Sequence, residues 1–444
     1  MGSKFKNPYP KKILSLLCLS TLALLIFYHS FVPNKATLQN KPLFYVSKTR
    51  PSSHPTNAAA VDGILVCDRT EYRSDICHMR GVVRARPPNS VTVHSTERRH
   101  EAVRPYTRKW ETSIMSKITQ LNLASGPDVD PQPCDVHHHV PALFFSAGGY
   151  TGNTFHEFND GIVPLYISAR AFNRRVVLVV LNYRAWWESK YRDVLARLTD
   201  HRIIDFERDA RAHCFPEAFV GLRIHGDLTI DPSKAPETNA SIADFRALLD
   251  EAYKPTIHSA LPRAPRPKLV IFSREGSRAI TNEEALVRMS ESIGFDVERL
   301  APKPTTTLKS MYKVLSACDA AVGVHGAAMT HFFFMRPGAV FVQIVPVGIL
   351  GPARACFAGA TEAAGLKYVE YVVEAEESSL YAEYGRDAEV VREPGKVNAR
   401  GWEETKRVYL DGQNVTLDLA RFRGTLEAAF ENSERRRREE SIAS

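Results

Sequence analysis

The chain has 444 residues, 44% of them hydrophobic and 24% charged, and a formal net charge of +8. Its length excludes a single ordinary core: the roughly 380 residues beyond the amino-terminal segments call for two domains of about 130 to 200 residues each. The charge is spread thinly, with one basic block at 435–438 that Glu439 and Glu440 follow at once, so no nucleic-acid partner is expected.

In chain order, residues 13–32 come first, a mostly apolar run without Asp, Glu, Lys or Arg. At ~1.5 Å per residue it spans ~30 Å, the hydrocarbon thickness of a bilayer. Lys4, Lys6, Lys11 and Lys12 precede it and place the short tail in the cytosol, although Lys35 and Lys41 follow. The competing reading is a cleaved signal peptide, but the run ends in Tyr28, His29, Ser30, Phe31 and Val32 with no small-x-small site. The expected organisation is a cytosolic tail (1–12), a transmembrane anchor (13–32), a stem rich in Pro, Ser, Asn and Lys (33–60), an α/β domain (61–260), a second α/β domain with a final helix (261–430), and a charged, frayed tail (431–444).

A lumenal body suits the cysteines. Cys67, Cys77, Cys134, Cys214, Cys318 and Cys356 lie beyond the anchor and permit up to three disulfides in an oxidising compartment; Cys67 with Cys77 is the local pair. Asn239 and Asn414 open glycosylation sequons.

Apolar runs at 142–145, 176–181, 219–224, 269–272, 320–324, 340–345 and 368–373 predict strands. Several are continuous, as in parallel strands covered on both faces. Helices fit between them: one capped by Thr281 with Glu284 as capping-box partner and stopped by Gly294, one over 307–318, and a last amphipathic one over 418–430. The Pro-containing segment 256–268 is the linker candidate.

Three polar segments stand at predicted strand ends, where an α/β sheet binds ligands. In the first, residues 148–160, a glycine-rich turn leads into a helix near Thr154. His156 and Asp160 share a face at i and i+4; either could be a general base, or the carboxylate could orient the imidazole, with Glu157, Asn159 and Asn153 beside them. The second, residues 272–278, offers Ser273, Arg274 and Arg278, and guanidinium forks suit a diphosphate. The third, residues 323–331, offers His325, Gly326 and Ala327 at a turn where backbone N–H groups favour phosphate. Each also reads as ordinary capping, a solvated loop or close packing. Glu298 or Asp296 could hold ribose or base. Trp186 and Trp187 could stack on a sugar or fill a core. His137, His138 and His139 lack an acidic partner at metal-ligand spacing, so no metal site is expected.

Taken together and in order, the segments Cys67-Asp-Arg-Thr-Glu-Tyr-Arg-Ser-Asp-Ile-Cys77, Gly148 to Asp160, Phe272-Ser-Arg-Glu, and Gly323-Val-His-Gly-Ala, with Asp319 before the last and Arg336-Pro-Gly-Ala339 after it, resemble the plant members of glycosyltransferase family 61, which act on cell-wall xylan. The resemblance covers about residues 62 to 400. It implies a GT-B fold, two Rossmann-like domains facing a cleft, and an inverting transfer from a UDP-sugar without an obligatory divalent metal or other cofactor. It implies a single-pass type II protein of the Golgi membrane with its catalytic body in the lumen. Arg274, Arg278, His325, Gly326, Ala327 and Ser273 would then hold the donor. His156, Asp160 and Glu157 would serve catalysis, and Asn153, Asn159, Trp186 and Trp187 would meet a xylan or xylo-oligosaccharide acceptor. The transfer expected is β-1,2-xylosyl from UDP-xylose. The alternatives are α-1,3-arabinofuranosyl transfer from UDP-arabinofuranose, or a non-catalytic subunit working with other Golgi xylan-synthesis proteins.

Overall fold

The computed structural model describes residues 62–443, apart from 130, 131, 236, 255–264 and 304. The expected anchor, the stem and most of the expected linker lie outside the described residues. Among those described, no helix is long and apolar enough to cross a membrane.

Two sheets organise the described chain. The first contains β1 (Ile64–Asp68), β2 (Ile76–Arg86), β3 (Ser90–His94), β4 (Arg99–Val103), β5 (Leu121–Gly126), β6 (Val136–His137), β7 (Ala142–Ser146), β8 (Val177–Leu181), β9 (Ile204–Asp205) and β10 (His213–Val220). Its order is β4-β5-β3-β2-β10-β7-β8-β9, with β1 on β2 and β6 on β10. Strands β7 and β8 are apolar and fully buried, and they run parallel to each other and to β9 and β10. An antiparallel pairing of β2 with β10 then joins an extension that the sequence reading did not anticipate. Burial in β2 alternates only partly, which is a weaker signal than a continuous apolar run. β10 starts at His213, earlier than expected, because the whole run 213–220 pairs with β2. It stops at Gly221, where φ is +94° and a Cβ would stand 2.1 Å from the Asp75 carbonyl oxygen.

The second sheet is parallel throughout, in the order β12-β11-β13-β14-β15: β11 (Lys268–Phe272), β12 (Asp296–Leu300), β13 (Ala320–Val324), β14 (Val340–Val345) and β15 (Lys367–Val372). The chain leaves β11 on one side to form β12 and returns on the other to form β13. This reversal opens a crevice at the carboxyl ends of β11 and β13. Residues of helix Leu419–Ala443, among them Phe422 and Leu426, complete the core of this sheet.

The two sheets are tied by a seam of aromatic rings. Phe158, from the polar segment after β7, stacks 5.7 Å from Phe333 after β13, and Phe245 meets the same ring edge-on at 5.3 Å.

Several expectations are corrected. The helix expected to be capped by Thr281 runs Glu283–Ile293 with Asn282 at its N-cap, because the Thr281 hydroxyl is drawn to Val415 O and Thr416 Oγ1 across the fold. The expected frayed tail continues the last helix to Ala443. Arg436 and Arg437 are held there by the buried carboxylate of Asp319, which Arg336 also meets at 3.0 Å. A carboxylate out of water needs such cations. Of the disulfide candidates, Cys67 joins Cys77 and Cys134 joins Cys214, whereas Cys318 and Cys356 are free thiols. Those two sit in different surroundings. The charges near Cys318 are Arg336 and Asp319, those near Cys356 are Asp227 and Arg108, and burial pushes each thiol up to about 12.

Candidate active site

The register of the second sheet brings two of the polar segments together. Phe272 at the end of β11 pairs with Gly323 in β13, so the loop carrying Arg274 and Arg278 faces the turn at His325 and Gly326. Arg278 Nη1 donates to the His325 carbonyl oxygen at 3.0 Å. A Cβ on Gly326 would stand 2.4 Å from Arg274 Nη1 and 3.4 Å from Arg278 Nη1. Both guanidinium groups thus crowd one bare stretch of backbone. The Nε atoms of both are buried without a hydrogen-bond partner. Burial pushes both guanidiniums down, Arg278 to about 10 with help from Arg274. Two like charges so placed form a ready anion site.

His325 completes the cluster. Burial pushes its imidazole down to about 3, and Arg278 and Arg274 add to the effect. It is therefore neutral at neutral pH. Gln343 Nε2 donates to His325 Nδ1 at 2.8 Å, which puts the ring proton on Nε2 as a donor. Tyr368 donates to Gln343 Oε1 at 2.7 Å and fixes the amide orientation. Gln343 was missed from sequence, though a lone amide within the apolar run of β14 was the available signal. Ala327 follows and opens a 3₁₀ helix (Ala327–Phe334). Ser273 turns away and donates to Glu283 at 2.7 Å. Asp296 begins β12 and Glu298 pairs with Lys268, so neither joins the cluster.

The glycine-rich segment after β7 builds a second cluster. Asn153 caps the helical turn Thr154–His156 by accepting from Phe155 N at 3.0 Å. The helix then widens into a π turn over Glu157–Ile162, a form frequent at functional sites. His156 and Asp160 share one face as expected, with Nδ1 and Oδ2 2.7 Å apart. A carboxylate only accepts, so the shorter contact, to Asp160, draws a proton to Nδ1, while Arg108 Nη2 stands 3.0 Å from the same nitrogen; in the tautomer that Asp160 selects, Nε2 carries the lone pair. Asp160 is buried. Burial alone would raise its carboxyl, but the hydrogen bond from His156 and the Arg108 guanidinium outweigh it and hold it below its ordinary value. Arg108 Nε donates to Asp160 at 2.9 Å, and Arg73 stands 3.6 Å from the other oxygen. Asp160 is thus an ionised orienting group, and His156, about one-fifth exposed at its side chain, is the member with a free nitrogen.

The other candidates have the following surroundings. Glu157 is buried with its oxygens on Lys190, Tyr191 and Gly152 N. Asn159 is buried too; it accepts from Leu228 N and donates to Asp160, each at 2.8 Å. Trp187 is 2% exposed in the core beside Phe145 and Tyr191, so of the tryptophan pair only Trp186, at 46%, presents a free ring. His138 lies flat on Phe215, 4.4 Å between centroids, and its Nε2 meets His213 Nδ1 at 3.0 Å. Asn239 is exposed, whereas the Asn414 side-chain oxygen accepts from Ala279 N. Arg108, in the unread stretch before β5, is the main residue that sequence reasoning missed.

The two clusters meet. Phe155, next to His156, lies 6.0 Å edge-on from Phe357, whose ring lies 5.5 Å from His325. The His156 segment and the cationic cradle at Gly326 are thus joined through the packed rings of Phe155 and Phe357; a base near a cationic anion site suits group transfer from an anionic leaving group.

Two expectations follow. Gly326→Ala should displace the flexible Arg274 head and weaken diphosphate binding at this anion site, probed with UDP, by about 10- to 100-fold with little change in Tm; calorimetric titration and thermal unfolding check this. Second, burial holds the imidazoles of His138 and His331 down at about 4 and that of His325 at about 3, against an ordinary 6.5. All three are neutral in the folded chain at neutral pH, while the unfolded chain takes up protons as pH falls through about 6.5. Their stabilisation is present above that pH and lost progressively toward pH 4, so Tm should fall steadily across this window; a flat Tm would contradict it.

The sequence model for glycosyltransferase 61 matches residues 152–342, which include His156, Asp160, Arg274, Arg278, His325 and Gly326. A xylan glycosyltransferase of Arabidopsis thaliana is 47% identical over 83% of this chain and 79% of its own length. An alpha-1,3-arabinosyltransferase of Oryza sativa subsp. japonica is 36% identical over 83% of this chain and 65% of its own, and a beta-1,2-xylosyltransferase of the same rice is 33% identical over 82% and 83%. With likeness at this level over most of the described residues, and with this site geometry, the chain belongs to the glycosyltransferase 61 family and is a glycosyltransferase.

Proposed function

We propose that this protein adds pentose side chains to xylan from a UDP-pentose, with inversion at the anomeric carbon. The observation that carries the reading is the pair of crowded guanidiniums at Gly326 facing, through Phe155 and Phe357, the imidazole of His156. The names of the relatives, all enzymes of xylan or of pentose transfer, supply the substrate class.

In this mechanism His156 Nε2 takes the proton of an acceptor hydroxyl, and Asp160 stabilises the imidazolium that forms. The hydroxyl oxygen bonds to the anomeric carbon as the bond from that carbon to the diphosphate breaks, and the electron pair leaves with UDP. Arg274, Arg278 and the His325 Nε2–H meet the charge that grows on the leaving oxygens. The sheets described here would serve as the two facing halves of a GT-B enzyme, divided near residue 260. The apolar run 13–32 would hold the body in the Golgi lumen as a type II membrane protein.

We assign β-1,2-xylosyl transfer from UDP-xylose as the first reading. α-1,3-Arabinofuranosyl transfer from UDP-arabinofuranose is the second, favoured by the slightly higher identity to the arabinosyltransferase. The test is a screen of the full-length protein in detergent with UDP-xylose and UDP-arabinofuranose against xylo-oligosaccharides, followed by linkage analysis. A xylosyl product supports the first reading, an arabinofuranosyl product the second, and transfer of neither pentose overturns both.

A further inference from the structure

The motif Cys67 to Cys77 has no part in the chemistry above, yet it is built toward that site. Its disulfide closes the loop between β1 and β2, which carries Tyr72 and Arg73. The loop is fastened to the segment that bears Arg108. Lys109 N donates to Arg73 O at 3.1 Å, and Lys109 Nζ reaches Arg69 O and Asp75, each at 2.7 Å. Tyr72 is 69% exposed as a residue, yet its ring is stacked on Trp110, 5.0 Å between centroids and 13° between planes. The Arg73 and Arg108 guanidiniums lie 5.1 and 5.2 Å from the Trp110 ring centre. Both reach Asp160, and Arg108 Nη2 stands 3.0 Å from His156 Nδ1.

A wet aromatic ring ordinarily keeps its rotamer freedom. Here the ring is stacked on Trp110, on a loop that a disulfide and an ion pair tie down, and such restraint is preorganisation. The platform stands one side chain, Arg108, away from the reacting imidazole. A flat apolar face at that range suits the C–H face of a neutral sugar ring, as a polymeric acceptor would present beside the residue being modified. Resting on the transfer proposed above, we infer that Tyr72, backed by Trp110, forms an acceptor subsite that stacks on a neighbouring sugar of the xylan chain, with the 67–77 disulfide loop as its mount.

The test uses the full-length protein in detergent, titrated calorimetrically with xylohexaose, xylobiose and UDP. Tyr72→Ala is expected to weaken xylohexaose binding by about tenfold, with a smaller effect on xylobiose and the same UDP affinity as the parent, which also reports an intact fold; Tyr72→Phe should retain the parent affinity. In transfer assays the Ala variant should show its loss in the acceptor KM. Parent-like xylohexaose binding by Tyr72→Ala, a parallel loss of UDP binding, or no xylohexaose binding by the parent protein would each overturn the subsite. If xylohexaose binding depends on Tyr72 but no pentose is transferred, the subsite stands and the proposed transfer falls.

Discussion

Replacing His156 by Gln is expected to lower kcat for pentosyl transfer by about 10²- to 10⁴-fold, the usual contribution of a positioned general base, while UDP affinity stays near that of the parent. The reason is geometric. Nδ1 of His156 is shared between Asp160 and Arg108 inside the cluster, so Nε2 is the ring nitrogen that an acceptor hydroxyl can reach. Gln keeps a polar side chain in the turn but has no basic nitrogen. Since the base acts in the transition state, the loss should fall on kcat and kcat/KM alike. Asp160→Asn is a less clean probe. It would leave Arg108 buried with one charge partner fewer, a change that typically costs about 3–5 kcal/mol, so activity and Tm should both fall. A His156→Gln variant that keeps more than a tenth of the parental kcat would remove His156 from the role of base.

Arg274→Met should weaken UDP binding by about 10²-fold or more, since truncating a buried charge–charge contact costs about 2–5 kcal/mol. The same substitution should leave Tm unchanged or raise it. Arg274 is pressed against Gly326 beside a second guanidinium, and its Nε has no hydrogen-bond partner. Asp411 offsets the burial of the Arg274 charge only in part, so replacing this cation by an apolar side chain of similar length removes a desolvation penalty. A residue kept for folding would show the opposite: lower Tm and unaltered nucleotide affinity. Calorimetric titration with UDP and thermal unfolding of the same preparation decide between the two.

Much of the second sheet was legible because its strands are continuous apolar runs, and such runs are the clearest local signal of a buried parallel strand. The i, i+4 relation of His156 and Asp160 was legible for the same reason: it depends only on helical geometry. Arg108 was not. It approaches Asp160 from a separate segment 52 residues earlier, and nothing in its neighbourhood marks it as a partner. Glu157 and Asn159 looked equivalent to their neighbours in the motif, but in the π turn Glu157 meets Lys190 and Tyr191, and Asn159 bridges Leu228 N and Asp160.

By itself the sequence determined an apolar run of bilayer length, an α/β pattern, three polar segments at strand ends and a local disulfide. All of these rest on spacing within a few residues. The tertiary structure alone decided that Arg274, Arg278, His325 and Gly326 converge, because that follows from the register of β11 against β13. It also decided that Cys318 and Cys356 remain thiols, that Trp187 is core, and that the 67–77 loop is mounted beside His156 through Trp110 and Arg108. Such facts depend on which distant segments share a boundary, and strand pairing and burial, rather than local periodicity, set those boundaries.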